Sequence, residues 1–480
     1  MAQEERFNLV VIGAGAAGLV SSLIAATVKA RVALVERHLM GGDCLNYGCV
    51  PSKALIRSAR LVHEMKHHRD YGIAKVSYEI DFREVMARVH QKISKIAPHD
   101  SVERYTQMGV ECIGGDAHIV DPHTVRVGDR VLRTRNIILA LGAEPQIPPL
   151  PGLAEIPYLT SENLWNLEEL PRRLIILGGG PIGCELAQAF RRLGSDVTQI
   201  EMAERLLPRD DADASQLIAN RFAAEGIRVL SRTKALEVKS REGTSTLVCE
   251  GPGGQRLELG FDKILVAVGR KPRTAQLEGS GLAFELNPNG TLKVDRYLRT
   301  SHRNIYACGD VIGPYQFTHT ASHQAWFCAV NALFSPFKKF PVDYRVIPRC
   351  TFTDPEVAQV GHSELSAKEA GIDYEVATYG IDDLDRAITD NEDHGFVKVL
   401  TAKGKDRIIG CTIVGHLAGE LLSEYVLAMK NNIGLNRILG TIHAYPTFAE
   451  ANKYAAGVWR RAHAPQWALG ILAKFHAFRR

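Results

Sequence analysis

The chain has 480 residues, which is too long for one compact core and predicts about three folded units. Its hydrophobic content of 45% and charged content of 23% are ordinary for a globular protein, and a net charge of +4 does not indicate a nucleic-acid-binding protein. Nine cysteines are few for this length, and all but two stand singly. This usage excludes a disulfide scaffold and favours a reducing compartment.

The N-terminus lacks the pattern of a signal peptide. Glu4 and Glu5 are acidic where a signal peptide needs basic residues, and no small-residue cleavage site follows. No segment approaches the roughly 20 apolar residues of a membrane span. We therefore expect a cytoplasmic protein.

The first predicted unit is a strand, a glycine-rich turn, a helix and a second strand. The apolar strand covers residues 7–12, Gly13, Gly15 and Gly18 follow it, and Glu36 ends the second strand. In such a unit the first glycine permits the tight turn, the second lets the backbone approach a pyrophosphate, and the third lets the helix pack on the strand. Free N–H groups at the helix N-terminus then bind the anion. The pattern predicts a dinucleotide site.

Two cysteines follow this unit within a few residues. Cys44 and Cys49 lie in the segment 41–53, and Pro51 stands near the first turn of a predicted helix. Two thiolates are fewer than the four ligands usual at a structural zinc site, and a structural disulfide is unusual in a reducing compartment. A redox pair fits better, because a thiolate at a helix N-terminus is stabilised by the helix dipole.

The same nucleotide-binding pattern returns at residues 174–201. Gly178, Gly180 and Gly183 follow an apolar strand, and Glu201 lies 23 residues after Gly178, as Glu36 does after Gly13. Two such units predict two dinucleotides. An acidic residue in this place binds a ribose 2′-OH and repels a 2′-phosphate, which favours NADH, although Arg205 keeps NADPH as an alternative.

The remaining segments indicate how the units are joined. A proline- and glycine-rich linker at 147–152 separates the two nucleotide-binding units. A short apolar strand within 304–311 ends at Gly309 and Asp310. From about Val346 the pattern is typical of a separate α+β domain. Strands are predicted there over 351–352, 396–400 and 408–414, and helices over 420–431 and 449–461.

These motifs resemble those of the class I pyridine nucleotide-disulfide oxidoreductases, which include dihydrolipoamide dehydrogenase, glutathione reductase and mercuric reductase. The resemblance covers essentially the whole chain, and the block Cys-x4-Cys-Val-Pro-Ser-Lys is highly specific. It implies an α/β fold with two Rossmann-type dinucleotide-binding domains and a C-terminal α+β dimerisation domain. The implied boundaries are 1–150 and 278–345 for the two parts of the FAD-binding domain, 151–277 for the NAD(P)-binding domain and 346–480 for the dimerisation domain.

The resemblance also implies FAD, NADH or NADPH as cofactors, and a homodimer. Cys49 matches the thiol next to the flavin, Cys44 matches the thiol that exchanges with substrate, and Lys53 and Glu185 match an ion pair beside the flavin ring. Hydride then passes from NAD(P)H to FAD, and two electrons pass on to the disulfide. The implied cofactor-binding residues are Gly13, Gly15, Gly18, Glu36, Gly42, Gly142, Gly178, Gly180, Gly183, Glu201, Gly269, Gly309 and Asp310. No metal site and no nucleic-acid partner are predicted.

The sequence departs from the family in the block 443–450. Members that act on disulfides carry an acid/base histidine where this chain has Tyr445, whereas Glu450 matches the glutamate that orients this histidine. A phenol is a poor proton shuttle near neutral pH. A tyrosine here is similar to mercuric reductases, but those enzymes also end in a vicinal cysteine pair, and no cysteine follows Cys411. His319 and His323 are alternative bases.

Three functions therefore stay open. We favour a reductase that passes electrons from NAD(P)H through FAD and Cys44–Cys49 to a small thiol-reactive acceptor, as in mercuric reductases. The alternatives are a dihydrolipoamide dehydrogenase subunit of a larger complex and a flavin-bearing redox sensor. The basic segment after Pro465 has apolar residues at helical spacing, which is compatible with contact to a membrane surface or a partner.

Overall fold

The computed structural model describes residues 4–241, 243–335 and 337–480. Residues 1–3 lie outside these ranges, and they belong to the N-terminal segment that lacks the pattern of a signal peptide. The chain forms two compact units. The first contains residues up to 69, 73–202 and 227–343, and the second contains 70–72, 203–226 and 344–480.

The N-terminal part of the first unit alternates strands and helices. Leu9, Val10, Val11 and Ile12 are all buried, as expected for a parallel strand covered on both faces. The elements are β1 (Glu4–Ile12), α1 (Ala16–Thr27), β2 (Val32–Glu36), α2 (Gly42–Asn46), α3 (Cys49–Lys66), α4 (Phe82–Ile96), α5 (Val102–Gln107), β3 (Val110–Gly114), β4 (Ala117–Asp121), β5 (Thr124–Val127), β6 (Arg130–Leu139) and β7 (Ala143–Pro145).

The central part of the chain repeats the strand–helix–strand arrangement and adds an antiparallel meander. Gly180 precedes the first helical residue, Pro181, whose ring fixes a helical φ where no intrahelical N–H bond is needed. The elements are β8 (Arg173–Leu177), α6 (Pro181–Leu193), β9 (Asp196–Ile200), α7 (Ala212–Ala224), β10 (Arg228–Leu230), β11 (Lys234–Arg241), β12 (Thr244–Glu250), β13 (Arg256–Phe261), β14 (Lys263–Val266) and β15 (Arg270–Pro272).

Apart from α7, which belongs to the second unit, these elements and β16 (Ile305–Ala307) and α8 (Thr318–Phe334) complete the first unit. Its largest sheet has the order β3-β2-β1-β6-β5-β4, and β16 also pairs with β6. The other sheets have the orders β10-β9-β8-β14, β11-β12-β13 and β15-β7. Because β1, β6 and β16 are parallel, the loops after their carboxyl ends meet at one edge.

The second unit is built on an antiparallel sheet of order β17-β18-β21-β20-β19. Val397, Val399, Leu422 and Trp459 belong to its hydrophobic core. Its remaining elements are β17 (Pro348–Thr351), β18 (Glu356–Gly361), α9 (Glu364–Glu369), β19 (Tyr374–Gly380), α10 (Asp385–Thr389), β20 (Phe396–Ala402), β21 (Ile408–Gly415), α11 (Ala418–Lys430), α12 (Leu435–Leu439), α13 (Glu450–Ala462) and α14 (Gln466–Phe478).

The predicted α/β fold class is confirmed. The strands predicted over 396–400 and 408–414 lie within β20 and β21, and the two predicted helices match α11 and α13 to within two residues. The strand predicted at 351–352 shares only Thr351 with β17. The sequence did not predict the antiparallel meander β11–β13. The domain boundaries stay predictions. Within the described residues, no helix is both long and apolar enough to cross a membrane.

Candidate active site

Three glycine-containing turns lie at one edge of the largest sheet. Ile12 pairs with Leu139, and Leu139 pairs with Ala307, so β1, β6 and β16 end in register. The turns that follow contain Gly13, Gly142 and Gly309–Asp310. The structure therefore brings together residues that are about 300 positions apart in the sequence, at the edge where open α/β sheets bind ligands.

The glycines of the first turn have different reasons to lack a side chain. A Cβ on Gly13, whose φ is +100°, would lie 2.3 Å from the carbonyl oxygen of Ala140, and one on Gly18 would lie 1.7 Å from that of Gly13. Around Gly15 the nearest atom is the Cα of Gly42, at 3.9 Å. Gly13 and Gly18 thus allow the close packing of strand, turn and helix, whereas Gly15 leaves the space that a pyrophosphate needs.

Polar groups around this edge fit an adenine dinucleotide. The carboxylate of Glu36 accepts hydrogen bonds from the backbone N–H of Ala14 at 2.6 Å and of His38 at 2.9 Å, so it lies beside the turn. Burial raises the pKa of Asp310 to about 6, with the nearby Arg270 opposing the shift. The space at Gly15 fits a pyrophosphate, and the carboxylates of Glu36 and Asp310 are acceptors of the kind that the hydroxyl groups of FAD would need.

The second turn reproduces this geometry. A Cβ on Gly178 would lie 2.3 Å from the carbonyl oxygen of Ala267, and one on Gly183 would lie 2.1 Å from that of Gly178. Gly180 has no atom within 4 Å of its Cβ position. Glu201 accepts a hydrogen bond from the backbone N–H of Gly179 at 2.5 Å. The space at Gly180 fits a second dinucleotide.

Gly269 follows β14, the strand that pairs with β8, and has a φ of +138°. Its turn lies at the same sheet edge as Gly178, since Val266 pairs with Leu177. All five residues proposed for the second nucleotide, from Gly178 to Gly269, are therefore at one edge of this sheet.

The cysteine segment lies against the first turn. A Cβ on Gly42 would lie 2.6 Å from the Cα of Gly15, so α2 begins directly beside the proposed pyrophosphate site. Cys44 is in α2, and Cys49 is the first residue of α3. Between them, Tyr47 accepts a hydrogen bond through its carbonyl oxygen from the indole N–H of Trp165 at 2.9 Å. The two thiols are thus held at the start of a helix of 18 residues.

The two thiols have opposite acidities. The pKa of Cys49 is lowered to about 6, first by a hydrogen bond with Cys44, then by one with Thr318 and by the charge of Lys53. Its Sγ lies 3.4 Å from the hydroxyl oxygen of Thr318. The pKa of Cys44 is raised, first by the same bond with Cys49 and then by burial. Both cysteines are free in this structure, and the lower pKa makes Cys49 the thiol that ionises first.

Lys53 and Glu185 form the ion pair that the resemblance implies. The ammonium of Lys53 donates to the carboxylate of Glu185 at 2.8 Å, and the Glu185 side chain is only 8% exposed. Lys53 is one turn after Cys49 on α3, and Glu185 is on α6. The ion pair joins helix α3, which begins with Cys49, to helix α6 of the second glycine-rich turn.

The alternative bases lie on α8 with Thr318. The ring of His319 stacks on Phe317 with a centroid distance of 5.3 Å, and that of His323 packs edge-on against Phe327 at 5.0 Å. Thr318, at the start of the same helix, lies 3.4 Å from Sγ of Cys49 through its hydroxyl oxygen. The structure therefore adds Thr318 to the candidate residues.

The C-terminal block has a different pattern of hydrogen bonds from the one expected. The phenol of Tyr445 donates to the carboxylate of Asp385 at 2.9 Å, and this bond raises the pKa of Tyr445. Glu450 instead accepts from the phenol of Tyr454 and the backbone N–H of Thr447, each at 3.2 Å. The Tyr445 side chain is 69% exposed.

One cluster outside these sites has the composition of a metal site. Ligand atoms of Asp354, Glu392 and His394 lie within 4.8 Å of one another. However, the guanidinium of Arg221 donates to Nε2 of His394 at 2.7 Å, and burial and Arg221 lower the pKa of this histidine. The imidazole of His394 is thus already engaged by Arg221.

Comparisons with known proteins agree with this geometry. Residues 7–325 match the pyridine nucleotide-disulphide oxidoreductase family, and residues 347–456 match its dimerisation domain. The chain is 33% identical over 454 residues to a mercuric reductase of Lysinibacillus sphaericus, covering 94% of this chain and 82% of the relative. The chain belongs to the pyridine nucleotide-disulphide oxidoreductases.

Two further members of this oxidoreductase family show its range. A dihydrolipoyl dehydrogenase of Chlamydia muridarum is 33% identical over 452 residues, which cover 93% of this chain and 95% of that relative. The solved Cu(II) complex of the HOCl-induced flavoprotein disulfide reductase RclA from Escherichia coli has a TM-score of 0.84 at 27% identity. It covers 94% of this chain and 99% of that one. Members of the family bind FAD and use NAD(P)H, so the chain is a flavoprotein disulfide reductase in class.

Several residues of this oxidoreductase were missed by sequence reasoning. Arg270 lies between Asp43 and Asp310, at 3.4 Å and 3.7 Å from their carboxylates, and its position next to Gly269 was the only signal. Thr318, Asp385 and Trp165 carry no motif. Two cysteines that stand alone in the sequence, Cys308 and Cys328, are buried and hydrogen-bonded to each other.

Proposed function

We propose that this oxidoreductase passes electrons from NADH to a soft metal ion that arrives as a bis-thiolate complex, with mercuric ion as the model acceptor. Cys44 and Cys49 are the residues that bind and reduce it. The observation that carries the proposal is the hydrogen bond from Tyr445 to Asp385, which leaves a protonated phenol where members acting on disulfides have an acid/base histidine.

The cofactor residues follow from the two cradles. Gly13, Gly15, Gly18, Glu36 and Asp310 would hold FAD, and the turn from Gly178 to Gly183 would hold the nicotinamide nucleotide. Bound FAD supplies the transfer of an electron pair from the nicotinamide to a disulfide. Glu201 lies beside its turn, which favours a free ribose 2′-OH and hence NADH.

The protein's own groups prepare the thiols for metal binding. Cys49 is ionised at neutral pH because its pKa is about 6, whereas the thiol of Cys44 loses its proton when it binds a metal ion. The two sulfurs displace the two thiolate ligands of the acceptor, and one of the released thiolates takes up the proton of Cys44. The metal ion then takes two electrons and is released as the neutral metal, while Cys44 and Cys49 become a disulfide.

The C-terminal block distinguishes this reaction from disulfide exchange. Exchange with a disulfide expels a thiolate that needs a proton from the site, whereas ligand exchange at a soft metal ion replaces thiolate by thiolate. Tyr445 is a weak proton donor, because its bond to Asp385 raises its pKa. We propose that the chain forms a homodimer through its dimerisation domain and that Tyr445 of the partner subunit faces the cysteine pair.

Two relatives support a metal acceptor. The mercuric reductase of L. sphaericus is named for this reaction, and the RclA enzyme was solved as a Cu(II) complex. Both relationships span more than nine-tenths of this chain.

The test is the stoichiometry of NADH oxidation with mercuric bis-thiolate under anaerobic conditions. We expect one NADH consumed per atom of elemental mercury released, measured as vapour, and loss of both signals in Cys44→Ser and Cys49→Ser. A Cys112→Ser variant is the matched control, since Cys112 lies in β3 outside the site. NADH consumption without mercury release, or unchanged release from Cys44→Ser, would contradict the proposal.

Dihydrolipoamide dehydrogenase activity is the second candidate. It is favoured by the similarity to the C. muridarum enzyme, which is 33% identical over 452 residues. Measuring dihydrolipoamide oxidation with NAD⁺ tests it. Rapid turnover by the natural sequence would show that a group other than residue 445 acts as the base.

A further inference from the structure

The last helix of the chain has no buried side chain. We call α14 together with Arg479 and Arg480 the tail helix. Among the described residues, its recorded ring contacts lie within the helix itself: Phe475 against His476 at 5.5 Å, and the guanidinium of Arg479 over the ring of Phe475 at 5.4 Å. Its apolar side chains are therefore open to an external surface.

Four of the exposed apolar side chains form one face, and Leu469 and Leu472 lie outside it. Trp467, Ile471, Phe475 and Phe478 are separated by four, four and three residues, which places them along one side of an α-helix. They are 74%, 59%, 48% and 90% exposed. Two or more large aromatic residues side by side on an exposed helix are unusual in a protein surface without a binding role.

The positive charge of residues 451–480 indicates which kind of surface the tail helix binds. Residues 451–480 contain no aspartate or glutamate, and their cations are Lys453, Arg460, Arg461, Lys474, Arg479 and Arg480. A second tail helix is a poor partner, because two such segments repel each other and neither offers a carboxylate. An anionic surface is complementary to this charge, and a layer with an apolar interior also accepts the aromatic face.

We propose that the tail helix docks the enzyme on the surface of an anionic lipid bilayer. The helix of 13 residues is about 20 Å long, shorter than the roughly 30 Å hydrocarbon core, so it lies in the plane of the interface and does not span it. Trp467, Ile471 and Phe478 enter the acyl-chain boundary, and Arg479 and Arg480 contact the headgroups.

The tail helix is also separate from the family's shared structure. The dimerisation-domain match ends at residue 456, ten residues before the helix begins at Gln466. Docking through this helix does not depend on which acceptor the enzyme reduces.

Flotation of the full-length FAD-bound enzyme with vesicles is the first measurement. We expect co-flotation with vesicles of phosphatidylcholine that contain about 30% phosphatidylglycerol, little co-flotation with pure phosphatidylcholine, and weaker binding when salt is raised from about 0.1 M to 0.5 M. Arg479→Gln/Arg480→Gln should weaken binding by about twenty-fivefold, at roughly fivefold per cation.

The apolar face is tested separately. Trp467→Gln/Phe478→Gln should weaken vesicle binding at least tenfold, and the Trp467 fluorescence of the natural enzyme should shift to shorter wavelength on binding. Ala473→Gln is the matched control, because it adds the same amide to the opposite side of the helix and should bind normally. Trp467→Gln/Phe478→Gln and Ala473→Gln should both keep the NADH-dependent turnover of the natural enzyme in solution.

Three results would overturn docking on lipid. They are equal binding to neutral and anionic vesicles, vesicle binding that persists in Trp467→Gln/Phe478→Gln, and conversion of a dimer to a monomer when residues 465–480 are deleted. The last result, measured by light scattering during gel filtration, would assign the apolar face to a second copy of this chain.

Discussion

The cysteine segment (residues 41–53) and the C-terminal block (residues 443–450) shift the acidity of their reactive groups in opposite directions. Around Cys49, hydrogen bonds from Cys44 and Thr318 lower the pKa to about 6. At Tyr445, a bond to a carboxylate raises the pKa above its ordinary value. The chain thus prepares a nucleophile that is ionised at pH 7 and a phenol that stays protonated. This difference separates the thiol pair, one member of which ionises readily, from the C-terminal block, whose phenol is a weak proton donor.

The largest expected effect comes from removing the thiolate of Cys49. Cys49→Ala leaves no partner for Cys44, so the pair can neither form a disulfide nor hand on two electrons. We expect acceptor-dependent NADH oxidation to fall at least about a thousandfold, measured by absorbance at the nicotinamide band. FAD content and thermal stability should stay close to those of the natural enzyme, and residual turnover above this bound would contradict the assigned role.

Placing an imidazole at residue 445 should restore proton transfer in the C-terminal block. Tyr445→His supplies a group whose ordinary pKa of about 6.5 suits proton transfer at neutral pH, so turnover of oxidised lipoamide should rise by about a hundredfold. Tyr445→Phe is the control, since it removes the phenol without adding a base and should give no gain. Equal lipoamide turnover in all three proteins would show that residue 445 does not take part.

The ion pair of Lys53 and Glu185 predicts a smaller effect, on stability. Glu185→Gln removes the carboxylate 2.8 Å from the Lys53 ammonium, next to a side chain that is 37% exposed and so partly screened by water. We expect the free energy of unfolding to fall by about 1–2 kcal/mol in urea titrations. The double variant Lys53→Met/Glu185→Gln should recover part of this loss, and a purely additive double variant would argue against coupling.

Thr318→Val predicts the smallest change. Losing the hydroxyl 3.4 Å from Sγ raises the pKa of Cys49, and because the thiolate exists only above that pKa, its fraction between pH 6 and 7 falls. Iodoacetamide should modify Cys49 roughly two- to fivefold more slowly in this pH window and equally fast at pH 9, as resolved by mass spectrometry. Thr320→Val, two residues along α8, is the control, and the same slowing in both variants would remove Thr318 from the account.

Local sequence was enough to predict the two strand–turn–helix units. Gly18 is restricted by Gly13 in its own turn, whereas Gly13 also packs against Ala140, which follows the neighbouring strand β6. The position of Cys49 at a helix start followed from Pro51 for the same reason. The helical spacing after Pro465 likewise agrees with α14.

The residues that set acidity could not be predicted. Asp385 lies 60 positions before Tyr445, and Thr318 lies 269 positions after Cys49. These pairs are created by the packing of distant elements and leave no periodic or spaced pattern. Glu450 is a different case. A motif matched it to a glutamate that orients residue 445, but its hydrogen-bond partners are Tyr454 and Thr447.

The ratio of kcat/KM for mercuric bis-glutathione to that for oxidised lipoamide, both with NADH at pH 7, tests the central claim most directly. We predict that the natural enzyme prefers the mercuric complex by at least about a hundredfold, since Cys49 is ionised and Tyr445 is too weak an acid to supply the proton that lipoamide needs. A ratio near or below one would contradict it.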